Sequence, residues 1–303
     1  MKIILHVGLP KTGTTSFQTY LMDCYSVPTA DGVWYAPLGQ TKRAPQQVKL
    51  GHALRDGDLS ELAHDLKSFD GKAECLILSD ESIYVETPAI RSATRQRFQQ
   101  IMAPHDVTLV GVTRDLDRWK RSFYIQALEM RRSKAKLQHA TANGMWQTPL
   151  SYNDFYDGAY AAQICDPPAL MDKIAEMVSA SQLLTPSYDD DGDIVATLRQ
   201  LLDLRQTPPT SKLRKNPSLS DVQAEILRQA NGQAPINGRM IRALINLDNG
   251  IPLRPRHREN LMVWRSSFDW SSLTYRSNPP LRYTLGEFDA KLATLKKYTA
   301  DLR

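Results

Sequence analysis

The sequence has few cysteines and no long hydrophobic run. Its 303 residues include three cysteines, Cys24, Cys75 and Cys165. Three widely spaced cysteines cannot form a disulfide framework or a paired metal site. No stretch approaches the ~20 apolar residues of a transmembrane helix, and the opening MKIILHV is too short for a signal peptide. These absences predict a soluble, cytoplasmic protein whose cysteines are small buried apolar residues in a reducing compartment.

A strong charge of one sign is also missing. Lys and Arg number 38 and Asp and Glu 33, which gives a net charge of +5. This dispersed excess suits anionic ligands but does not indicate a nucleic-acid partner. Hydrophobic residues make up 42% of the chain, enough for a sizeable core and too many for a mainly disordered protein. The oligomeric state stays open.

Short apolar segments alternate with helical patterns along the first two thirds of the chain. This alternation predicts an α/β fold, a P-loop-like parallel β-sheet flanked by helices, with a helical C-terminal extension. We expect residues 1–207 to form the core and residues 208–303 a mainly helical extension packed on the same domain. The polar interval 133–151 is expected to be a loop over the site. The predicted strands are Lys2–Val7, Val33–Ala36, Glu74–Ser79, Asp106–Thr113 and Gln182–Asp189.

A glycine-rich segment, LHVGLPKTGTTSF, follows the first predicted strand. Gly8 and Gly13 have the spacing of a nucleotide-phosphate loop, but Thr14 occupies the usual lysine position and Lys11 comes three residues earlier. A glycine turn at a helix N-terminus directs backbone N–H groups at an anion. The alternative is an ordinary strand–turn–helix joint. We expect one phosphate to be bound by Lys11 together with amides and hydroxyls of Thr12, Gly13, Thr14, Thr15 and Ser16.

The segment VTRDLDRWKRSFYIQ holds a second candidate anion site. Arg114 lies at the end of a predicted strand, where open α/β sheets bind ligands, and Ser122 lies eight residues further, in the next predicted helix. An arginine can donate two hydrogen bonds to a phosphate. Alone, Arg114 would more often be a structural ion-pair partner. Together with the glycine loop, Arg114 and Ser122 favour phosphate binding.

The PKTGTT loop and the Arg-x7-Ser pair resemble those of the sulfotransferases that use 3′-phosphoadenylyl sulfate (PAPS). The segments RDLDRWKRSFYIQ and Leu213–Asn231 are similar to the bacterial branch that sulfates saccharides. The resemblance implies that the loop, with Lys11, holds the 5′ side of the donor, and that Arg114 and Ser122 hold its 3′-phosphate. It implies metal-free transfer of a sulfuryl group to a hydroxyl-bearing acceptor, a carbohydrate or glycoconjugate. The glycine- and lysine-bearing motif that covers the adenine in eukaryotic cytosolic relatives is not found.

Three residues are candidates for the base that removes the acceptor proton. Asp80 and Glu81 follow the third predicted strand, near where related enzymes have a catalytic histidine, and saccharide-sulfating branches can use a glutamate. A helix-capping turn is the structural alternative. His52 has a suitable ordinary pKa of ~6.5, although an isolated histidine is more often structural. His6, inside the first strand, is expected to be a core residue. Lys11 would assist the leaving phosphate.

Two other functions fit parts of the sequence. A P-loop kinase or NTPase would use ATP and Mg²⁺, with Asp80 as a metal ligand, and a non-catalytic anion- or glycan-binding protein would lack a working base. The acidic stretch Asp189–Asp193 is predicted to be a solvated turn rather than a Ca²⁺ loop. The basic stretches Arg239–Leu247 and Arg254–Arg258 fit either contacts with an anionic acceptor or solvated helix ends. The sequence identifies no acceptor.

Overall fold

The computed structural model describes residues 1–38, 40, 46–47, 49–129, 145–189, 193–207, 219–253 and 255–301. The chain divides into two compact units. The first consists of Met1–Lys120 and Ala162–Leu213, and the second of Arg121–Ala161 and Arg214–Arg303. The expected division into residues 1–207 and 208–303 stays a prediction.

The first unit is built on a sheet of five parallel strands. Its order is β2-β3-β1-β4-β5, so that Leu5 of the central strand lies between Leu78 and Leu109. The strands are nearly continuous apolar runs because helices cover both faces of a parallel sheet. The predicted α/β class and parallel sheet are confirmed. The strands are β1 (Lys2–His6), β2 (Val33–Tyr35), β3 (Cys75–Ser79), β4 (Asp106–Val110) and β5 (Gln182–Leu184).

Fourteen α-helices lie within the described residues. Two short 3-10 turns, Thr87–Ala89 and Trp270–Ser272, accompany them. The helices are α1 (Thr14–Tyr25), α2 (Lys49–Asp56), α3 (Ser60–Phe69), α4 (Ser82–Glu86), α5 (Ser92–Met102), α6 (Leu116–Glu129), α7 (Tyr152–Tyr156), α8 (Ala159–Ile164), α9 (Pro167–Met177), α10 (Ile194–Leu201), α11 (Asp221–Gln233), α12 (Pro235–Asp248), α13 (Pro255–Trp264) and α14 (Leu285–Ala300).

Helices α1 and α10 anchor the loop end of the sheet. Phe17, Tyr20 and Leu21 recur at helical spacing on α1 and are at most 3% exposed. They pack in one cluster with Ile194 and Leu198 of α10. Full burial of such side chains contributes roughly 1.5–3 kcal/mol each. This packing fixes the start of α1, and with it the glycine loop, against the sheet.

The second unit is helical. Helix α11 begins with a capping box in which Ser220 and Gln223 bond each other's backbone. The fully buried Glu225 on the same helix accepts hydrogen bonds from Arg228 and Asn278. The four helices α11 to α14 confirm the predicted helical C-terminal extension. Within the described residues, no helix is long and apolar enough to span a membrane.

Several expectations about local structure need correction or fall outside the described residues. His52 lies in α2, on the connection that follows β2. The three cysteines are free, as expected, but each is only partly buried. The expected loop at 133–151 falls outside the described residues up to position 144, and Met145–Gln147 form a turn. Positions 190–192 of the acidic stretch are also outside the described residues.

Candidate active site

The glycine loop has an unusual backbone conformation at two positions. Gly13 precedes α1 with φ +78°, and Lys11 has φ +69°. A Cβ on Gly13 would lie 2.6 Å from Ile194 Cγ2 and 3.0 Å from the ring of Tyr188. Glycine is therefore required at position 13 by both backbone angle and space. Lys11 has no such freedom, so its left-handed conformation costs about 1–2 kcal/mol. Strain of this kind is typical of functional sites.

The first turn of α1 presents unpaired backbone donors. Gly13 at the N-cap supplies no side-chain acceptor, and the N–H of Ser16 bonds to Gly13 O at 2.9 Å. Among the described residues, the N–H groups of Thr12, Gly13, Thr14 and Thr15 have no hydrogen-bond acceptor. With the positive end of the helix dipole, these donors form a site for an anion.

The loop hydroxyls are not all available to a ligand. Thr12 is buried and donates to Leu9 O at 2.6 Å. Thr14 Oγ1 donates to Glu81 Oε2 at 2.5 Å. Thr15 is exposed and Ser16 partly exposed, so these two residues are more accessible to a ligand than Thr12 and Thr14. The structure thus gives Thr14 a second role, since its hydroxyl orients a carboxylate.

Arg114 is held directly against the glycine loop. Its Nη1 donates to Lys11 O at 3.2 Å, and its guanidinium lies 5.1 Å from the centre of the Tyr188 ring. Arg114 follows β4, the strand beside β1 where the connections of the sheet change direction, which is where open α/β sheets bind ligands. The two predicted anion-binding segments, Lys11–Ser16 and Arg114, therefore meet at one edge of the sheet.

Two further side chains, which are not predicted from the sequence, hold the loop and Arg114 in place. Trp119 Nε1 donates to Pro10 O at 2.8 Å from a fully buried position. Asp189 Oδ1 lies 3.5 Å from Arg114 Nε, and its Oδ2 accepts the N–H of Asp115 at 2.8 Å. The hydrogen bond from this N–H lowers the pKa of Asp189, and the positive charges of Arg114 and Arg118 lower it further. Asp189 was predicted to be part of a solvated turn, and nothing local in the sequence distinguishes it.

Asp80 is a structural residue whose carboxylate accepts hydrogen bonds from other parts of the protein. It is completely buried, and Oδ1 accepts bonds from Gln46 Nε2 at 2.6 Å and Ser82 Oγ at 2.7 Å. Oδ2 accepts the N–H of Gly51 at 2.6 Å. Burial raises the pKa of Asp80, and these hydrogen bonds oppose the rise. Both carboxylate oxygens are occupied, so the residue fixes the turn after β3 and does not face a substrate.

Glu81 is the carboxylate that faces the loop. It is partly exposed and accepts the Thr14 hydroxyl. Burial raises its pKa, with the charge of Asp80 adding to the rise, while the Thr14 hydrogen bond and the charge of Lys11 lower it. A carboxylate with a raised pKa beside the loop lysine has the properties of a general base.

The candidate histidine, His52, lies away from the loop. His52 is exposed on α2 and lines a cavity of about 210 Å³ between α2 and α3 whose described lining includes none of the loop residues. His6 is a core residue, as expected, with Nδ1 2.7 Å from Ser79 Oγ. Burial lowers its pKa to about 3, so it stays neutral. The structure therefore brings Glu81, and not His52, to the loop.

Ser122 lies in the second turn of α6 and is partly exposed. It follows the boundary at which the chain passes from the first compact unit to the second. Its role beside Arg114 stays a prediction.

No model of a protein family matches the chain, and no curated protein matches it in sequence. A sulfotransferase from Alicyclobacillus acidocaldarius, known from its crystal structure, aligns with 99% of this chain and 96% of its own, at 13% identity and a TM-score of 0.39. Agreement this low establishes neither a common fold nor a common activity.

Proposed function

We propose that the protein is a sulfotransferase that uses PAPS to sulfate a hydroxyl group. The observation that carries this proposal is the contact between Arg114 and the backbone of Lys11, which joins two anion-binding segments at one edge of the sheet. A nucleotide with phosphates at both the 5′ and 3′ positions needs two such binding groups. PAPS is a nucleotide of this kind.

The residues present fit the donor. The free N–H groups at the start of α1 would bind its 5′-phosphosulfate, and Arg114, already oriented by Asp189 and Tyr188, would bind its 3′-phosphate. When bound, PAPS supplies an activated sulfuryl group. Arg114 would bind the anion through guanidinium N–H groups other than that of Nε, the atom that lies 3.5 Å from Asp189 Oδ1.

Two side chains would carry the chemistry. Lys11 is exposed within the loop. It would donate a proton to the oxygen of the leaving phosphate on which negative charge develops, or would stabilise that charge with its own positive charge. Glu81 would accept the proton of the acceptor hydroxyl. The raised pKa of Glu81 brings its basicity nearer to neutral pH, and the charge of Lys11 opposes part of this rise. The resemblance to saccharide-sulfating enzymes supports a carbohydrate or glycoconjugate as acceptor.

The geometry disfavours the kinase alternative. Position 14 holds a threonine instead of the lysine that reaches the β- and γ-phosphates of ATP. The oxygens of Asp80 accept bonds from Gln46, Gly51 and Ser82, so they are not free to organise Mg²⁺.

A thermal-shift comparison of nucleotides tests the proposal. The full chain is melted with 3′-phosphoadenosine 5′-phosphate, with adenosine 5′-phosphate, and with ATP in the presence and absence of Mg²⁺. We expect the 3′-phosphorylated nucleotide to stabilise the protein most, without Mg²⁺. Stabilisation by ATP only with Mg²⁺ would support a kinase or NTPase instead. Binding of the 3′-phosphorylated nucleotide without transfer from labelled PAPS to any of a panel of saccharides would support a non-catalytic binding protein.

A further inference from the structure

The two threonines that open α1 differ in what their hydroxyl groups can reach. Thr14, the first residue of the helix, is 3% exposed, and its Oγ1 donates to Glu81 Oε2 at 2.5 Å. Thr15, the next residue, is exposed. The N–H groups of both residues are among the unpaired donors at the start of the helix. Thr14 therefore offers its amide to the loop and its hydroxyl to a carboxylate.

The packing of the Thr14 methyl group favours this orientation of the side chain. A Cβ on Gly8, the first glycine of the loop, would lie 2.8 Å from Thr14 Cγ2. Gly8 does not have a positive φ, so space and not backbone angle requires glycine at position 8. A threonine in a helix chooses between two χ1 rotamers. With the methyl group enclosed against Gly8, the rotamer that directs the hydroxyl to Glu81 is selected.

The position of Glu81 depends on this hydrogen bond. Strands β1 and β3 are neighbours, with His6 beside Ser79, so the loop after β1 and the turn after β3 lie side by side. Among the residues that the structure describes, the Thr14 hydroxyl gives the Glu81 carboxylate its only hydrogen bond. A glutamate has several rotatable bonds, and without this partner its carboxylate would lose a defined position.

We infer that the Thr14 hydroxyl positions the base Glu81 and is not a ligand of the donor. This inference rests on the proposed function, in which Glu81 is the general base. With Oε2 bonded to Thr14, Glu81 Oε1 takes the proton of the acceptor hydroxyl, while the acceptor oxygen bonds to sulfur and the bridging oxygen leaves with the 5′-phosphate. The Thr14 N–H stays available to the donor, and the accessible hydroxyl of Thr15 contacts it.

Carbon-13 NMR of the glutamate carboxyl groups tests the hydrogen bond without requiring activity. The Glu81 signal is identified as the one that is missing in Glu81→Gln. It should move in Thr14→Val, which removes the hydroxyl and keeps the shape of the side chain. It should stay in place in Thr14→Ser and Thr15→Val. An unmoved signal in Thr14→Val would overturn the inference, whether or not the protein transfers sulfuryl groups.

Kinetics and calorimetry then separate the roles of the two threonines. Thr14→Val should lower kcat about tenfold or more, the range for a hydrogen bond to a charged group. Its affinity for 3′-phosphoadenosine 5′-phosphate should change less than about twofold, because the amide remains. Thr15→Val should weaken that affinity about two- to tenfold. Thr14→Ser should restore most of kcat. Serine restores the hydroxyl but not the methyl group, so a role in packing alone would not be rescued.

Two kinetic outcomes would overturn the inference. A loss of nucleotide affinity in Thr14→Val equal to that in Thr15→Val would show that the Thr14 hydroxyl is a ligand of the donor. An unchanged kcat in Thr14→Val would show that the base does not need this partner. Absence of transfer by the wild-type protein would overturn the proposed function instead, and the carboxyl signal would still decide whether Thr14 holds Glu81.

Discussion

The glycine loop and the cavity of the second unit that Arg239, Arg242 and Arg256 line both contain hydrogen-bond donors, but the two are built differently. In the loop, the donors are backbone N–H groups of consecutive residues, and a short stretch from Gly8 to Ser16 contains nearly all of them. In the cavity, the donors are side chains, and the lining runs from Leu128 to Asn260 along the chain. A site made from contiguous backbone has a sequence signature, whereas a site made from side chains on several helices depends on how those helices pack.

The largest expected effect concerns the base that serves the loop. Glu81→Gln should reduce transfer from PAPS about 10²- to 10⁴-fold, because an amide cannot take the acceptor proton. Since burial raises the pKa of Glu81, activity of the wild-type enzyme should fall as pH decreases through a pKa above that of an ordinary glutamate. A pH–rate profile measures this. Full activity in Glu81→Gln, together with loss of activity in His52→Gln, would show that the general base is His52 and not Glu81.

The next largest effect concerns the charge inside the loop. Lys11→Met should lower the rate of transfer about 10²- to 10³-fold, since it removes a donor from the developing negative charge. Methionine keeps most of the length of the side chain without its charge, so nucleotide binding should change far less. Labelled PAPS and single-turnover kinetics separate the two quantities. Equal loss of binding and rate would make Lys11 a binding residue only.

Gly13→Ala tests whether the loop depends on its backbone. It should lower the free energy of unfolding by about 1–3 kcal/mol, because alanine at positive φ is strained and its Cβ would meet Ile194 and Tyr188. Gly71 is the matched control, since it has φ +75° and no atom within 4 Å of the position that a Cβ would occupy. Gly71→Ala should cost only the backbone part, about 1 kcal/mol. Equal losses in urea denaturation would show that close packing around Gly13 is unimportant.

The smallest effect has the opposite sign. Lys11→Gly should raise the free energy of unfolding by about 1 kcal/mol, because glycine adopts φ +69° without strain. The same variant should lose transfer activity. Thermal or urea denaturation would detect the gain. A loss of stability would show that the Lys11 side chain contributes to folding. It would also show that the left-handed backbone conformation of Lys11 does not destabilise the protein.

The sequence predicts the parts of the first unit that depend on local patterns. Apolar runs locate the five strands, and the glycines locate the loop, because strand burial and left-handed turns each restrict residue type. Glu81 could be proposed because it follows the third predicted strand, near where enzymes that the sequence resembles have a catalytic histidine. The different roles of Glu81 and Asp80 could not be predicted, because the two adjacent carboxylates differ only in their hydrogen-bond partners.

Long-range contacts account for what the sequence does not predict. Asp189 reaches Arg114 from a distant turn, and Trp119 reaches the carbonyl of Pro10 across the end of the sheet. The two basic stretches of the second unit have no motif, and only their packing shows that Arg242 and Arg256 line one cavity. In each case a residue of ordinary type acquires its role from a partner far away in the chain.

The central claim is that the glycine loop and Arg114 form one site for a 3′-phosphorylated nucleotide. Calorimetric titration without Mg²⁺ tests it most directly, with 3′-phosphoadenosine 5′-phosphate and adenosine 5′-phosphate against wild type, Arg114→Gln and Arg118→Gln. Arg118 also approaches Asp189, but its side chain is 69% exposed, so it serves as the control. We predict that wild type and Arg118→Gln prefer the 3′-phosphorylated nucleotide about tenfold or more, and that Arg114→Gln loses this preference. Equal affinity of the wild-type protein for the two nucleotides would contradict the claim.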